Sequence, residues 1–482
     1  MNADSTSDAA GQVERTVDAY LRPALDVLAA ELDGVDGLAA GERAAVHAGA
    51  AAALRDTVRR KVIGVFPLER EAGDRDVLAD RYPALVKRLG TGVDNRVAAA
   101  VAFARRFAAD RTRLSELDGA DPGTLDEASF GTEGSHRGQN AVLLRCARGR
   151  LVYHPRPVAV EHALAGFLAR VLADEPDPIR VPRVVAMDGY GWAELVEHRY
   201  CTGEDELRRF HRDLGRWLAV LRLLGGIVPH EENLVAAGPV PVVTDCETLL
   251  TPRPSAAPSG HGAAVDRVRE LVGAHPVGSL LGTGLVPGRP TGRGPSPEPV
   301  LGRYREHVAA AFTELTERLR EYDRGGELAG WLAAFADTPV RAVVRDGGTY
   351  AELSRMLWHP ESLRDQEPAV TRARNLLARD ATDATAAPAA PGDPYVIAAE
   401  VAELLDGDVP CFTTTPALGM LLGPRGTTWG SRTDLVADAL DRWRAADPAV
   451  DRRVIQAALA SAYLDEGARQ EGRLADVQRQ QG

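Results

Sequence analysis

The sequence predicts an α+β fold with a helical N-terminal region, a mixed core and a helical C-terminal cap. Residues 12 to about 115 carry apolar side chains at helical spacings. From Asp121 on, glycine-rich turns separate short apolar runs, which is typical of strands. A stretch rich in alanine and proline then precedes a second helical pattern. These changes predict a helical region over 1–120, a core over 121–375, a linker over 376–395 and a helical region over 396–482.

Each element of this fold is predicted from a local pattern. The runs Ala141–Cys146 and Leu151–Tyr153 flank a turn with Gly149, which indicates a β-hairpin. Apolar periodicity predicts helices over Val46–Val62, Asp94–Leu114, Ala159–Ala173, Glu204–Leu224, Tyr304–Asp323 and Gly326–Ala336. Further strands are expected around Val184 and Leu195 and on both sides of Gly238-Pro239. Residues 396–464 are expected to be helical, with one turn at "GDVPCFTTT".

The composition excludes several classes of protein. The 482 residues carry a formal net charge of -12, so nucleic acid is not the expected partner. No run of about 18 apolar residues and no signal peptide is present, so no membrane span is expected. The four cysteines contain no CxxC pair, which argues against a zinc site and fits free thiols in a reducing cytoplasm.

The stretch "PHEENLVAAGPVPVVTDCET" has the layout of a kinase catalytic site. His230 and Asn233 lie in one loop, and Asp245 and Glu247 follow a strand–turn–strand unit. In kinases, a loop residue assists the nucleophile, while an asparagine and an acid hold the magnesium ion that bridges the phosphates. Mg²⁺ prefers oxygen ligands, which Asn233, Asp245 and Glu247 supply. A loop histidine by itself is more often structural, so the ordered set carries the prediction.

A second set of residues is predicted to contact the nucleotide. The sequence "LVYHPR" places His154 or Arg156 at the end of a strand, where kinase-like enzymes keep a cation for the phosphates. The segment "GYGWAELVE", with Trp192 and Glu194, is typical of the connection between two lobes, where the backbone meets a purine. Simple packing is the alternative interpretation of Trp192.

Taken together, these motifs resemble the dehydratase domain of the class II lanthipeptide synthetases, the LanM family. The resemblance rests on "GSHRGQNAV", "LVYHPR", "GYGWAELVE", "HEENLVA", "VVTDCETLL" and "RAVVRDGGTYAELSRMLWHPESLRD", and covers residues 120 to 465. It implies a two-lobed core similar to lipid kinases. It also implies that Mg-ATP phosphorylates Ser and Thr of a ribosomally made precursor peptide, and that phosphate is then eliminated to leave dehydroamino acids. A separate cyclase or synthetase is a possible partner.

The resemblance assigns roles to individual residues. His230 matches the catalytic-loop histidine, and Asn233, Asp245 and Glu247 match the metal ligands. His136 matches a histidine in a glycine-rich turn. Arg341 matches an arginine that the family uses in elimination, and Arg345 matches a nearby arginine. Four positions depart from the pattern, because a lysine, two acids and a threonine are replaced by His154, Val228, Gly134 and Gly347.

The departures leave two functional classes open. An enzyme with altered or partial dehydratase activity is expected if Arg341 and His136 act, or if Glu231 or Glu232 replaces the acid lost at Val228. The alternative is a catalytically degenerate domain that binds a precursor peptide or a partner enzyme.

Overall fold

The computed structural model describes residues 3–63, 65, 79–132, 134–176, 178–225, 233–252, 294–297, 300–345, 347–381, 390–457 and 459–460. Helices and small antiparallel sheets alternate in these residues, which confirms the α+β prediction. The helices are α1 (Ala3–Asp33), α2 (Ala40–Val62), α3 (Pro83–Asp110), α4 (Ala159–Val171), α5 (Glu204–Leu224), α6 (Arg305–Gly325), α7 (Glu327–Leu332), α8 (Gly347–Leu357), α9 (Pro360–Arg364), α10 (Glu367–Asp380), α11 (Pro394–Asp406) and α12 (Leu435–Ala445).

The strands form three sheets. A five-stranded sheet has the order β1-β2-β3-β5-β4, a hairpin pairs β6 with β7, and a four-stranded sheet has the order β11-β10-β9-β8. The strands are β1 (Leu125–Phe130), β2 (Val142–Cys146), β3 (Gly149–His154), β4 (Val184–Ala186), β5 (Gly191–Glu194), β6 (Leu234–Ala237), β7 (Val240–Val243), β8 (Val340–Ala342), β9 (Phe412–Thr414), β10 (Leu421–Leu422) and β11 (Thr428–Trp429).

The N-terminal helices share one hydrophobic core with the five-stranded sheet. Alternating side chains of β2 and β3 turn inward, as the period of two in a strand requires. They meet apolar stripes of α1, α2 and α3, so that Phe103 of α3 packs edge-on against Tyr153 of β3. The predicted hairpin is confirmed, with Val142 opposite Tyr153 in its register. The N-terminal helices therefore hold this sheet in place, and one of its strands, β3, ends at His154.

A glycine permits the close approach between α2 and this sheet. A Cβ added at Gly49 would lie 1.7 Å from the carbonyl oxygen of Ala128 on β1. Since no side chain fits in that space, the helix lies directly on the strand backbone.

A second core surrounds the predicted central helix. The sequence-based bounds of α5 are those observed, Glu204–Leu224, and Gly225 ends the helix with φ of 67°. Helix α5 packs against α6, where Gly215 lies against the carbonyl of Val308. The β6–β7 hairpin joins this core, because Trp217 Nε1 donates a hydrogen bond to Pro241 O.

The C-terminal region differs from the prediction. Residues 412–429 were expected to be helical apart from one turn, but they contain strands β9, β10 and β11. The prediction is wrong there because β9 pairs with the distant strand β8, a partner that local periodicity does not reveal. The linker also begins later than predicted, because α10 continues to Asp380.

In the described part of the chain, each helix is too short or too polar to cross a bilayer.

Packing at Gly49 can be tested with a matched pair of substitutions. Gly49→Ala should destabilise the protein by about 1–3 kcal/mol, because the added methyl group forces α2 away from β1. Gly41→Ala is the control in the same helix, where an added Cβ meets nothing within 4 Å. It should leave the thermal midpoint unchanged or raise it slightly. Equal midpoints for both variants, measured by circular dichroism, would contradict the close contact.

Candidate functional site

Arg156 lies among three carboxylates. Its Nη2 is 2.8 Å from Glu161 Oε1 and 2.9 Å from Asp245 Oδ1, and its Nε is 3.0 Å from Glu247 Oε2. The pKa of Arg156 is raised, since the attraction of the three carboxylates outweighs burial, which opposes the charge. Arg156 is therefore a permanent cation that joins parts of the chain about ninety residues apart.

Short-range sequence features bring these groups together. Strand β3 ends at His154, and Pro155 and Pro157 prevent it from continuing. Glu161 lies in the first turn of α4, which begins just after Pro157. The hairpin β6–β7 delivers Asp245, whose Oδ1 also accepts a hydrogen bond of 3.1 Å from the Glu247 backbone. The acids therefore follow a strand end, as the sequence predicts.

Arg341 extends the cluster through Glu247. Its Nη1 lies 2.9 Å from Glu247 Oε1, and its backbone N–H donates to Glu247 O at 2.6 Å. Burial opposes the charge of Arg341, but Glu247 outweighs it and the pKa is raised. One carboxylate thus binds two guanidinium groups, one through each oxygen. Together Arg156, Arg341, Glu161, Asp245 and Glu247 have a net charge of −1, from two positive and three negative groups.

His136 faces the same cluster from a tight turn. Its backbone exchanges two hydrogen bonds with Gln139, and its Nδ1 lies 2.6 Å from Val409 O. Because a carbonyl only accepts hydrogen bonds, Nδ1 carries the proton and Nε2 keeps a lone pair. Burial lowers the pKa of His136, and the positive charge of Arg341 lowers it further. The imidazole is thus neutral near pH 7 and can accept a proton.

His154 lies beside Arg156 but contributes no charge. Burial lowers its pKa to about 3, and the neighbouring Arg156 acts in the same direction. The positive charge at the end of β3 is therefore supplied by Arg156 alone. Contact of either side chain with a phosphate stays a prediction.

The described residues include one predicted member of the catalytic loop. Asn233 precedes β6, and its carbonyl accepts a hydrogen bond of 2.8 Å from Thr244 N, next to Asp245. His230, Val228, Glu231 and Glu232 lie outside the described residues. Where the chain is described, no three His, Cys, Asp or Glu side chains are grouped as metal ligands.

The cluster does not include three of the predicted site residues, Trp192, Glu194 and Arg345. Trp192 is fully buried between Phe103, Phe107 and Tyr153, and its Nε1 donates to Asp110 Oδ2 at 2.9 Å. This position agrees with the packing alternative. Glu194 forms ion pairs with Arg180 and Arg183.

Arg345 forms a buried network of its own. It pairs with Glu400 at 2.8 Å and with Asp380 at 2.8 Å, and it donates to the carbonyls of Leu377 and Pro391. The side chains of Arg345 and Glu400 are both 0% exposed. Arg345 thereby ties α10 and α11 together.

Of the two glycine departures, one has a structural explanation and the other has none. Gly134, which replaces an acid of the family pattern, has φ of 66°, a left-handed conformation that favours glycine. Gly347 begins α8, where a Cβ would meet nothing within 4 Å. Backbone conformation therefore explains the glycine at 134, whereas packing leaves room for a threonine at 347.

Sequence reasoning missed Glu161 as a member of the cluster. Its side chain is 3% exposed, and its Oε2 has no partner within the described residues. The available signal was its position five residues after Arg156, in the first turn of the following helix. An acid there is also common for capping a helix, so the pattern alone is ambiguous.

Comparison with known proteins identifies the family. Residues 82–298 and 289–415 match the family model described as Domain of unknown function (DUF4135), so the chain belongs to this family, the LanM-associated domain. This confirms the resemblance that the motifs indicated.

The chain is also similar to part of a curated protein. The chain is 21% identical over 161 residues to the lacticin 481/lactococcin biosynthesis protein LcnDR2 of Lactococcus lactis subsp. lactis. The alignment covers 32% of this chain and 17% of that relative's length.

The structural role of Arg345 can be separated from a role in catalysis. Arg345→Met should destabilise the protein by about 3–5 kcal/mol, because Glu400 is left as an unpaired buried charge. Adding Glu400→Gln should restore most of the thermal midpoint, since the amide oxygen still accepts from Tyr350. Arg355→Met, at an exposed position of α8, should change the midpoint little. If the double variant stayed as unstable as Arg345→Met, the buried pair would not be the cause.

Proposed function

We propose that this protein acts in lanthipeptide biosynthesis as a LanM-like dehydratase with a kinase-like, two-lobed core. In this proposal it phosphorylates Ser and Thr of a precursor peptide with Mg-ATP, eliminates the phosphate, and has altered or partial activity. The observation that carries the proposal is the cluster of Arg156, Asp245, Glu247 and Arg341 beside His136. Four separate elements contribute these residues, and each one lies in a motif of the family.

The cluster offers suitable donors for Mg²⁺. Asn233, Asp245 and Glu247 would hold the ion through amide and carboxylate oxygens, the ligands that Mg²⁺ prefers. The ion would supply positive charge between the phosphates of ATP. The net charge of −1 leaves the cluster able to take up a cation. Arg156 competes for the same carboxylates, which supports altered rather than standard phosphoryl-transfer activity.

The elimination step is supported by Arg341 and His136. In the proposed step, a base removes the proton on Cα of the phosphorylated residue, a Cα–Cβ double bond forms, and the Cβ–O bond breaks with its electron pair going to phosphate. His136 Nε2 has the lone pair that a base needs. The fixed charge of Arg341 would stabilise the leaving phosphate, as positioned cations do for developing negative charge.

The substrate would be a precursor peptide in the cytoplasm. A separate cyclase or synthetase would then form the rings, as the family resemblance implies.

Mass spectrometry of a candidate precursor peptide incubated with this protein tests the proposal. With ATP and Mg²⁺, we expect loss of water or gain of phosphate, and a peptide carrying phosphoserine should lose phosphate. Arg341→Gln should slow that loss by about 10²–10³-fold, the usual effect of removing one such stabilising group. Arg355→Gln is the exposed control. If the masses of the unmodified and the phosphoserine peptide both stayed unchanged, the result would contradict enzymatic activity and favour a binding role.

Competition between Arg156 and Mg²⁺ gives an independent test. Arg156→Gln changes the net charge of the cluster from −1 to −2, so Mg²⁺ should bind about tenfold more tightly or better. Titration calorimetry with MgCl₂ measures this effect, and circular dichroism verifies folding. Arg183→Gln also removes one positive charge, but Arg183 pairs with Glu194 outside the cluster. This control should leave the affinity for Mg²⁺ unchanged. Weaker binding to Arg156→Gln would show that these acids do not hold the ion.

A further inference from the structure

A basic pocket lies between helices α2 and α3 and the C-terminal end of α11. Its polar lining residues are Thr57, Lys61, Arg88, Arg96 and Asp406, set in a mostly apolar wall with Trp358 on one side. Three of these side chains are cations and one is a carboxylate. Asp406 is already bound by Arg425 at 2.6 Å. The pocket therefore has an excess of positive charge.

The cations of this pocket have few anionic partners in the described part of the chain. Arg88 is 4% exposed and donates only to neutral acceptors, Leu357 O at 2.6 Å and Gln366 Oε1 at 3.2 Å. Lys61 Nζ lies 4.1 Å from the centre of the Trp358 ring. Asp408 attracts Lys61 and Arg96, and Asp406 attracts Arg88, but burial outweighs this attraction and lowers the pKa of all three cations, so the pocket favours a further anion.

Unsatisfied donors point to the same conclusion. Among the described residues, Arg88 Nε, Arg96 Nε and Thr57 Oγ1 are buried without a hydrogen-bond partner. All three residues line the pocket. Buried polar atoms nearly always have partners, so three orphans around one pocket indicate a missing acceptor. Burial, together with Arg96, lowers the pKa of Lys61 to about 8, as expected for an ammonium group that lacks a carboxylate at contact distance.

We propose that this pocket binds one oxyanion group, a phosphate or a carboxylate, of a ligand or peptide. Three cations and a hydroxyl donor around a small volume suit a compact, multiply accepting group. The position differs from the Arg156 cluster, which has its own carboxylates. The proposal does not depend on dehydratase activity.

The pocket is connected to the candidate site through one turn. Arg96 Nη2 donates to Ser135 Oγ at 2.9 Å, and Ser135 Oγ donates to Asp408 Oδ1 at 2.6 Å. His136 follows Ser135 in the chain, and Val409 follows Asp408. The hydrogen bond between His136 Nδ1 and Val409 O orients the imidazole. An anion that holds Arg96 would therefore also stabilise the turn that carries His136.

Binding of inorganic phosphate and of acetate to the full chain tests the proposal. Calorimetry at low ionic strength should show phosphate binding to the unmodified protein. Lys61→Gln and Arg96→Gln should each weaken it about tenfold or more, the loss of one charge-assisted hydrogen bond. Lys61→Arg should retain binding. Should Lys61→Gln fail to fold, Thr57→Val removes one donor at smaller structural cost and should also weaken binding.

Two further variants separate this pocket from other sources of binding. Arg105→Gln is the matched control, because Arg105 is an exposed arginine of α3 that pairs with Glu31, and it should retain full affinity. Arg341→Gln should also retain it, since Arg341 belongs to the candidate site. Loss of binding only in Arg341→Gln, equal loss in Arg105→Gln, or no binding at all would overturn the proposal. Binding of acetate as well as phosphate would indicate a carboxylate ligand, and binding of phosphate alone a phosphorylated one.

Discussion

The ion pairs of Arg156 are the constraint on which the rest of the site depends. This one guanidinium joins the end of β3, the first turn of α4 and the acids after β7. Its charge balances a carboxylate, Glu161, that is almost completely buried. Removing one partner of such a group leaves a charge that the protein interior solvates poorly. The relative placement of the five-stranded sheet and the α5–α6 core is thus coupled to the state of the candidate site.

Glycines and hydrogen bonds set the geometry around this centre. Gly49 lets α2 lie on the backbone of β1, which fixes the sheet. At Gly138, an added Cβ would lie 2.6 Å from the backbone of Asn95, so the turn after His136 lies directly on α3. Asp408 accepts from Gly138 N at 3.0 Å and anchors the same turn from the C-terminal side. The N-terminal helices therefore help to position His136.

The cluster around Arg156 and the pocket around Lys61 have opposite excess charges. Around Arg156, carboxylates outnumber cations, so the cluster suits a further cation. Around Lys61, cations outnumber carboxylates, so the pocket suits an anion. Ser135 and Asp408 lie between the two regions, next to His136 and Val409. Binding in one region is thus coupled to the other region through the turn that carries Ser135 and His136.

The sequence by itself determined the elements that depend on local patterns. The α5 bounds, the β2–β3 hairpin and the acids after β7 were predictable, because periodicity, turn residues and strand ends are local properties. The motifs also singled out Asp245, Glu247 and Arg341, which lie around Arg156, but not Glu161.

Only the tertiary structure decided the pairing of distant groups. Strand β9 depends on β8, Glu161 accepts a hydrogen bond from Cys246 N, 85 residues further along the chain, and Arg345 is tied to Glu400 rather than to the candidate site. The basic pocket likewise forms only when α2, α3 and α11 meet. Such contacts leave no periodic signal in the chain, because their free energy comes from burial and charge across separate elements.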